Sequence, residues 1–203
     1  MTGIKIRYNK KLYSMAIYLS FLFILSAWIN PSTADIEEDI CLNEKEIKLH
    51  ELLNNYRIDK NLAPVEISSK LTKVAQAHAK DLGDNYELND DCNPHSWSSE
   101  GDWTSCCYTN DHKKATCMWY KPNEIANYGA HGYEIIFYHS HEATPDDALL
   151  GWQESDAHNP VVINSGIWEK IDWKAMGVAV RGSWAVVWFG PAPDPSPKPG
   201  LCQ

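Results

Sequence analysis

All six cysteines of this 203-residue chain, Cys41, Cys92, Cys106, Cys107, Cys117 and Cys202, lie behind an N-terminal stretch that reads as an export leader. An even number of cysteines in an exported chain predicts three disulfides, although six cysteines allow 15 pairings. Cys41 and Cys202 flank the domain and are expected to tie its ends. Cys106 and Cys107 are neighbours, and a bond between neighbours strains the backbone, so each seeks a separate partner. Cys92 and Cys117 are the nearest candidates. A zinc site built from these four cysteines with His95 is the competing arrangement, but the C-x-x-C spacing such a site favours is absent.

The leader consists of Lys5, Arg7, Lys10 and Lys11, then a mainly apolar run from Met15 to Ile29, then the small residues Ser32, Thr33 and Ala34. That order marks residues 1–34 as a signal peptide with cleavage near Asp35. The run is short for a helix that must cross roughly 30 Å of hydrocarbon. No second run of membrane length follows, so no stable membrane span is expected after cleavage. The domain is assigned to residues 35–190, followed by a Pro-rich C-terminal tail over 191–203. Removing the four positive charges of the leader takes the net charge from −9 to −13. Such an acidic domain repels phosphate backbones and anionic lipid, which argues against nucleic-acid binding. No N-x-S/T acceptor with a permitted middle residue is present.

Asn43 with Glu46 three positions on predicts a capping box, and Leu49, Leu52, Leu53 and Tyr56 recur at helical spacing behind it. Ser68 caps a second expected helix, carrying Leu71, Val74, Ala75, His78 and Leu82 on one face, with Gly83 as its stop. His78, on that apolar face, reads as a satisfied core side chain. From Asn89 to Tyr128 no clean period exists, and a long cross-linked loop with one short helix is expected. Tyr133–Tyr138 reads as a strand, and Thr144-Pro145-Asp146-Asp147 starts a helix running to about Glu154. Met176–Val180 and Trp184–Phe189 form a hairpin around Arg181-Gly182-Ser183, with Trp184 and Trp188 on one face. The five prolines from Pro191 to Pro199 predict an extended tail. Helices followed by a closing hairpin indicate α+β layers.

Several of these segments together resemble a known family. Leu52-Leu53-Asn54-Asn55-Tyr56-Arg57, Leu62-Ala63-Pro64-Val65 and Ala75-Gln76-Ala77-His78-Ala79 are similar to the opening of the CAP superfamily, or SCP domain, which comprises cysteine-rich secretory, antigen 5 and pathogenesis-related proteins. The resemblance extends over about residues 44–190 and implies a three-layer α-β-α sandwich with a polar cleft. The cleft histidines of the family match His95, in Asn93-Pro94-His95-Ser96, and His158, in Ser155-Asp156-Ala157-His158. The latter is nearer the bacterial form of the motif. The family's Gly-Glu-Asn acid matches Glu134, although Tyr133 stands between Gly132 and Glu134 here. The second acid, three residues after the helix Trp, is replaced by Ser155.

Two neutral imidazoles and a carboxylate suit a divalent transition metal, zinc most naturally, so His95, His158 and Glu134 form the candidate metal set. The competing reading is a buried network in which the carboxylate sets the His tautomers. His139 and His141 read as members of a solvated loop. No G-x-S-x-G or H-E-x-x-H motif is present. The resemblance leaves two functional readings. One is an extracellular domain that binds a protein, lipid or sterol ligand. The other is a peptidase-like extracellular hydrolase, which the loss of the second acid weakens.

Overall fold

The computed structural model describes residues 40–87 and 91–203. The leader, residues 1–34, lies outside the described residues.

A two-residue strand β1 (Cys41–Leu42) leads into helix α1 (Glu44–Asp59). Asn43 caps α1 through its side chain, and Glu46 returns the bond to the Asn43 N–H, completing the capping box. Ser68 caps α2 (Ser69–Asn85) by accepting from the Leu71 N–H. The expected stop at Gly83 is a correction: the helix runs on to Asn85. Buried Leu82 and Asp81 hold its last turn, and Asp81 accepts from Asn85 Nδ2 at 2.8 Å. The central loop carries two short helices, α3 (Ala115–Trp119) and α4 (Lys121–Ala126), where one was expected. Strand β2 (Tyr133–Tyr138), helices α5 (Pro145–Gln153) and α6 (Asn159–Val162), a 3₁₀ turn at Gly166–Trp168, and strands β3 (Ala175–Arg181), β4 (Trp184–Gly190) and β5 (Gly200–Leu201) follow.

The central sheet has the order β2-β4-β3, antiparallel throughout, so the closing hairpin supplies two strands and β2 docks on its far side. Because side chains alternate along each strand, the sheet splits the interior in two. On one face Ile136, Ala179, Trp184, Val186 and Trp188 pack with Leu71, Val74, Ala75 and Ala79 of α2 and with the central loop. On the other, Ile135, Val178, Ala185, Val187 and Phe189 pack with Leu49 and Leu53 of α1 and with Ala148 and Trp152 of α5. The result is a three-layer α-β-α sandwich. α2 lies so close to β3 that a Cβ on Gly177 would stand 2.0 Å from the Leu71 carbonyl carbon, which explains a glycine in mid-strand.

The Asn54-x-Tyr56-Arg57 run is a structural brace. Asn54 clasps Val65, accepting from its N–H at 2.8 Å and donating to its carbonyl at 3.0 Å. Tyr56 donates to Asn159 Oδ1, and the buried Arg57 donates to the Ala63 and Val162 carbonyls and to Asn164 Oδ1. α1 is thereby fixed to both ends of α6 and to Asn164 beyond it. Burial pushes the Arg57 guanidinium below its ordinary range, with Asp172 acting in the opposite direction.

Three disulfides join Cys41 to Cys202, Cys92 to Cys107, and Cys106 to Cys117. The tail over 191–203 is extended and laced back onto the domain. Asp194 Oδ2 accepts from Ser68 Oγ at 2.6 Å and from the Lys70 N–H at 3.0 Å, at the start of α2. Lys198 pairs with Glu66, β5 runs parallel to β1, and the Cys41–Cys202 bridge closes the strap. Among the described residues, no helix is long and apolar enough to cross a membrane.

Candidate functional site

Three elements of the α2 side of the sheet converge on one carboxylate. Glu134 is the second residue of β2; its neighbour Ile135 faces α1 and α5, so Glu134 faces α2 and the central loop. Its side chain is completely buried. Oε1 lies 2.5 Å from Nδ1 of His78 on α2, and Oε2 lies 2.8 Å from Nδ1 of His95 in the loop. Burial alone would raise the Glu134 pKa. The charge and hydrogen bond of His78, and then those of His95, outweigh it and hold the carboxyl below its ordinary range.

His95 owes its place to the cross-linked loop. Cys92, three residues earlier, is bonded to Cys107, while Trp97 and Cys106 exchange backbone hydrogen bonds at 2.8 and 2.9 Å. Asn93 Oδ1 accepts from the His95 N–H at 3.1 Å, an Asx-type turn that orients the imidazole inward. The edge of the Tyr108 ring packs on it, and a fifth of the His95 side chain remains open to solvent. His78, by contrast, is fully buried. It stacks on Trp97 with centroids 4.1 Å apart and planes 8° from parallel, and its Nε2 donates to the Ser96 carbonyl at 2.9 Å.

His158 enters from the turn before α6. Its Nδ1 is 2.9 Å from Ser155 Oγ, and its own N–H donates to the same oxygen at 3.3 Å. The serine at the position of the missing acid therefore takes over the orienting of this imidazole. Burial pushes the His158 pKa down to about 4, helped by the charge of His95. That coupling places the two imidazoles within electrostatic reach of each other.

The structure thus joins Glu134 directly to His95 and sets His158 near them, held by Ser155. It also adds His78, whose only sequence signal was a histidine on an otherwise apolar helix face. Both oxygens of Glu134 are engaged by imidazole nitrogens, which is the geometry of a carboxylate that orients histidines. Among the described residues, no group of three or more His, Cys, Asp or Glu side chains is placed to hold a metal ion. The Nδ1 atoms of His95 and His158 are engaged, by Glu134 and Ser155, which leaves Nε2 as the other ring nitrogen of each. His141 is exposed and His139 half-buried, and His139 Nδ1 accepts from the His141 N–H.

The depressed His158 pKa carries a pH dependence. The unfolded imidazole, with a pKa near 6.5, takes up a proton more readily than the folded one, so stability is fully present above pH 6.5 and falls as pH drops towards 4. Allowing for partial solvent contact, the metal-free protein should lose roughly 2 kcal/mol from this group over that range. Urea midpoints of wild type and His158→Gln should converge as the pH falls; parallel curves contradict the assignment.

A family model described as the cysteine-rich secretory protein family, CAP, matches residues 50–188. No curated protein matches the chain. Among solved structures, an extracellular protein containing an SCP domain from Bacillus anthracis superposes with a TM-score of 0.50 at 19% identity, covering 71% of this chain and 39% of that one. An outer surface protein from Borrelia burgdorferi gives a TM-score of 0.48 at 19% identity, covering 72% of this chain and 92% of that one. The chain therefore spans well under half of the Bacillus protein, and at this identity the likeness concerns the fold.

Proposed function

The chain belongs to the cysteine-rich secretory protein (CAP) family, and from that premise we propose that it is a secreted, non-catalytic binding domain whose His95–His158 pair takes up a transition metal ion loosely. The leader and the three disulfides support export. The observation that carries the non-catalytic reading is the state of Glu134: fully buried, with both oxygens engaged by His78 and His95. A carboxylate so buried and held serves the two histidines rather than an incoming water or cation. The second acid that would share acid and base roles is Ser155 here.

The donor set suits zinc or a similar ion, which His95 and His158 would hold through Nε2, with Glu134 and Ser155 orienting the rings behind them. Once bound, such an ion supplies a Lewis-acidic point for an oxygen or nitrogen donor of a ligand. The ligand itself is an extracellular protein, lipid or sterol. An open concavity of about 400 Å³ beside the cross-linked loop, lined by Asp81, Asn85, Tyr86, Trp97 and Ser105 among others, offers it a surface.

The competing hydrolase reading is tested with a peptide library and zinc-supplemented protein. No cleavage that depends on the cleft is expected. Turnover in the wild type that disappears in both Glu134→Gln and His158→Ala would establish a hydrolase instead.

A further inference from the structure

The innermost histidine of the cleft enters the reading above only as a partner of Glu134. His78 has two ring nitrogens, and each faces an acceptor. Nε2 is 2.9 Å from the Ser96 carbonyl oxygen, which only accepts, so Nε2 carries a hydrogen. Nδ1 is 2.5 Å from Glu134 Oε1. The other oxygen of that carboxyl is 2.8 Å from His95 Nδ1, so one chain of hydrogen bonds runs from the Ser96 carbonyl through His78 and Glu134 to His95. The His78 ring is buried against Trp97 and engaged at both nitrogens.

From this geometry we infer that His78 is the positioning residue of the cleft: it holds Glu134, and through Glu134 and the Ser96 carbonyl it fixes His95 with Nδ1 inward and Nε2 outward. Two links make the connection. One runs through the carboxylate, which cannot rotate away from His95 while Oε1 is bound. The other runs through Ser96, the residue next to His95, which ties the loop to α2. A carboxylate that lost this partner would turn to find another, and His95 would lose its fixed tautomer. The inference deepens the metal reading, because Nε2 of His95 is what the cleft offers an ion, but its primary test does not depend on metal.

That test is ¹⁵N–¹H correlation spectroscopy of histidine-labelled, metal-free protein at pH 7. In the wild type, His95 should be a single Nδ1–H tautomer. His78→Phe keeps the ring that stacks on Trp97 and removes both hydrogen bonds; His95 should then become a mixture of tautomers, and zinc affinity should fall about tenfold, as for loss of an outer-shell partner. His78→Gln, which restores one donor to Glu134, should recover part of the tautomer preference. A His95 tautomer unchanged in His78→Phe overturns the inference, and so does a wild-type His95 that is already a mixture. If His78→Phe does not fold, the wild-type spectrum and His78→Gln decide. A wild type that shows the expected His95 tautomer, lost in His78→Phe, but no zinc uptake supports the positioning role and counts only against the metal reading.

Discussion

Replacing Glu134 with alanine is expected to lower stability by about 3–5 kcal/mol, the cost of removing a buried carboxylate from the partners that hold it. The side chain is completely buried between two imidazoles, and its loss leaves Nδ1 of His78 and Nδ1 of His95 without their partner. Water reaches His95, a fifth of whose side chain is open, but not His78. Most of the cost therefore falls on the buried His78 ring. Glu134→Gln keeps the shape but puts an N–H₂ in place of one of the two oxygens, so it should recover less than half of the loss. Urea denaturation, with the midpoint shifted and the slope unchanged, is the measurement. A loss below about 1 kcal/mol, the scale of a single exposed ion pair, would show that the interior does not depend on this carboxylate.

Opening the Cys41–Cys202 bridge is the second large effect. Its partners are 161 residues apart in sequence, against 15 for Cys92–Cys107 and 11 for Cys106–Cys117. Closing a longer loop removes more entropy from the unfolded chain, so the paired change Cys41→Ser with Cys202→Ser should cost about 4–5 kcal/mol, and each shorter bridge about 3 kcal/mol or less. The native consequences are local to the strap. β5 should lose its pairing with β1, while the Asp194 contacts to Ser68 and Lys70 keep the middle of the tail on α2. Hydrogen exchange should rise first at the Gly200 and Cys202 amides, which donate to Ile40 and Leu42. A smaller stability loss for this bridge than for Cys106–Cys117 would contradict the ordering.

The parts of this architecture that were legible in the sequence are those set by local chemistry. Asn43, Ser68 and Thr144 cap the three long helices as their side chains require, and alternation along Trp184–Phe189 separates the two faces of the sheet. The family resemblance brought His95 and Glu134 together, which no local pattern could do across 39 positions. What escaped reading was decided by tertiary partners. Gly83 does not end α2, because buried Leu82 and Asp81 carry the helix past it. The central loop has no period of its own, so α3 and α4 form only where the disulfides and the packing of Ala115, Met118 and Ala126 place them. His78 looked like a core residue and is one. That its partner is the cleft carboxylate follows only from how α2 lies across the sheet and beside the loop. Ser155 looked like a vacancy in the acid pattern, yet its hydroxyl does the orienting that a carboxylate would otherwise do.

Calorimetric titration of metal-stripped protein with zinc at pH 7 tests the proposed cleft most directly. One saturable, exchangeable ion per chain is expected, because two imidazoles leave the remaining coordination positions to water. Uptake should be lost in His95→Ala and in His158→Ala, kept in His139→Ala, and reversed as the imidazoles take up protons. An absence of saturable uptake, or uptake that survives both cleft substitutions, would contradict the account and leave the His78–Glu134–His95 cluster as a hydrogen-bonded support of the fold.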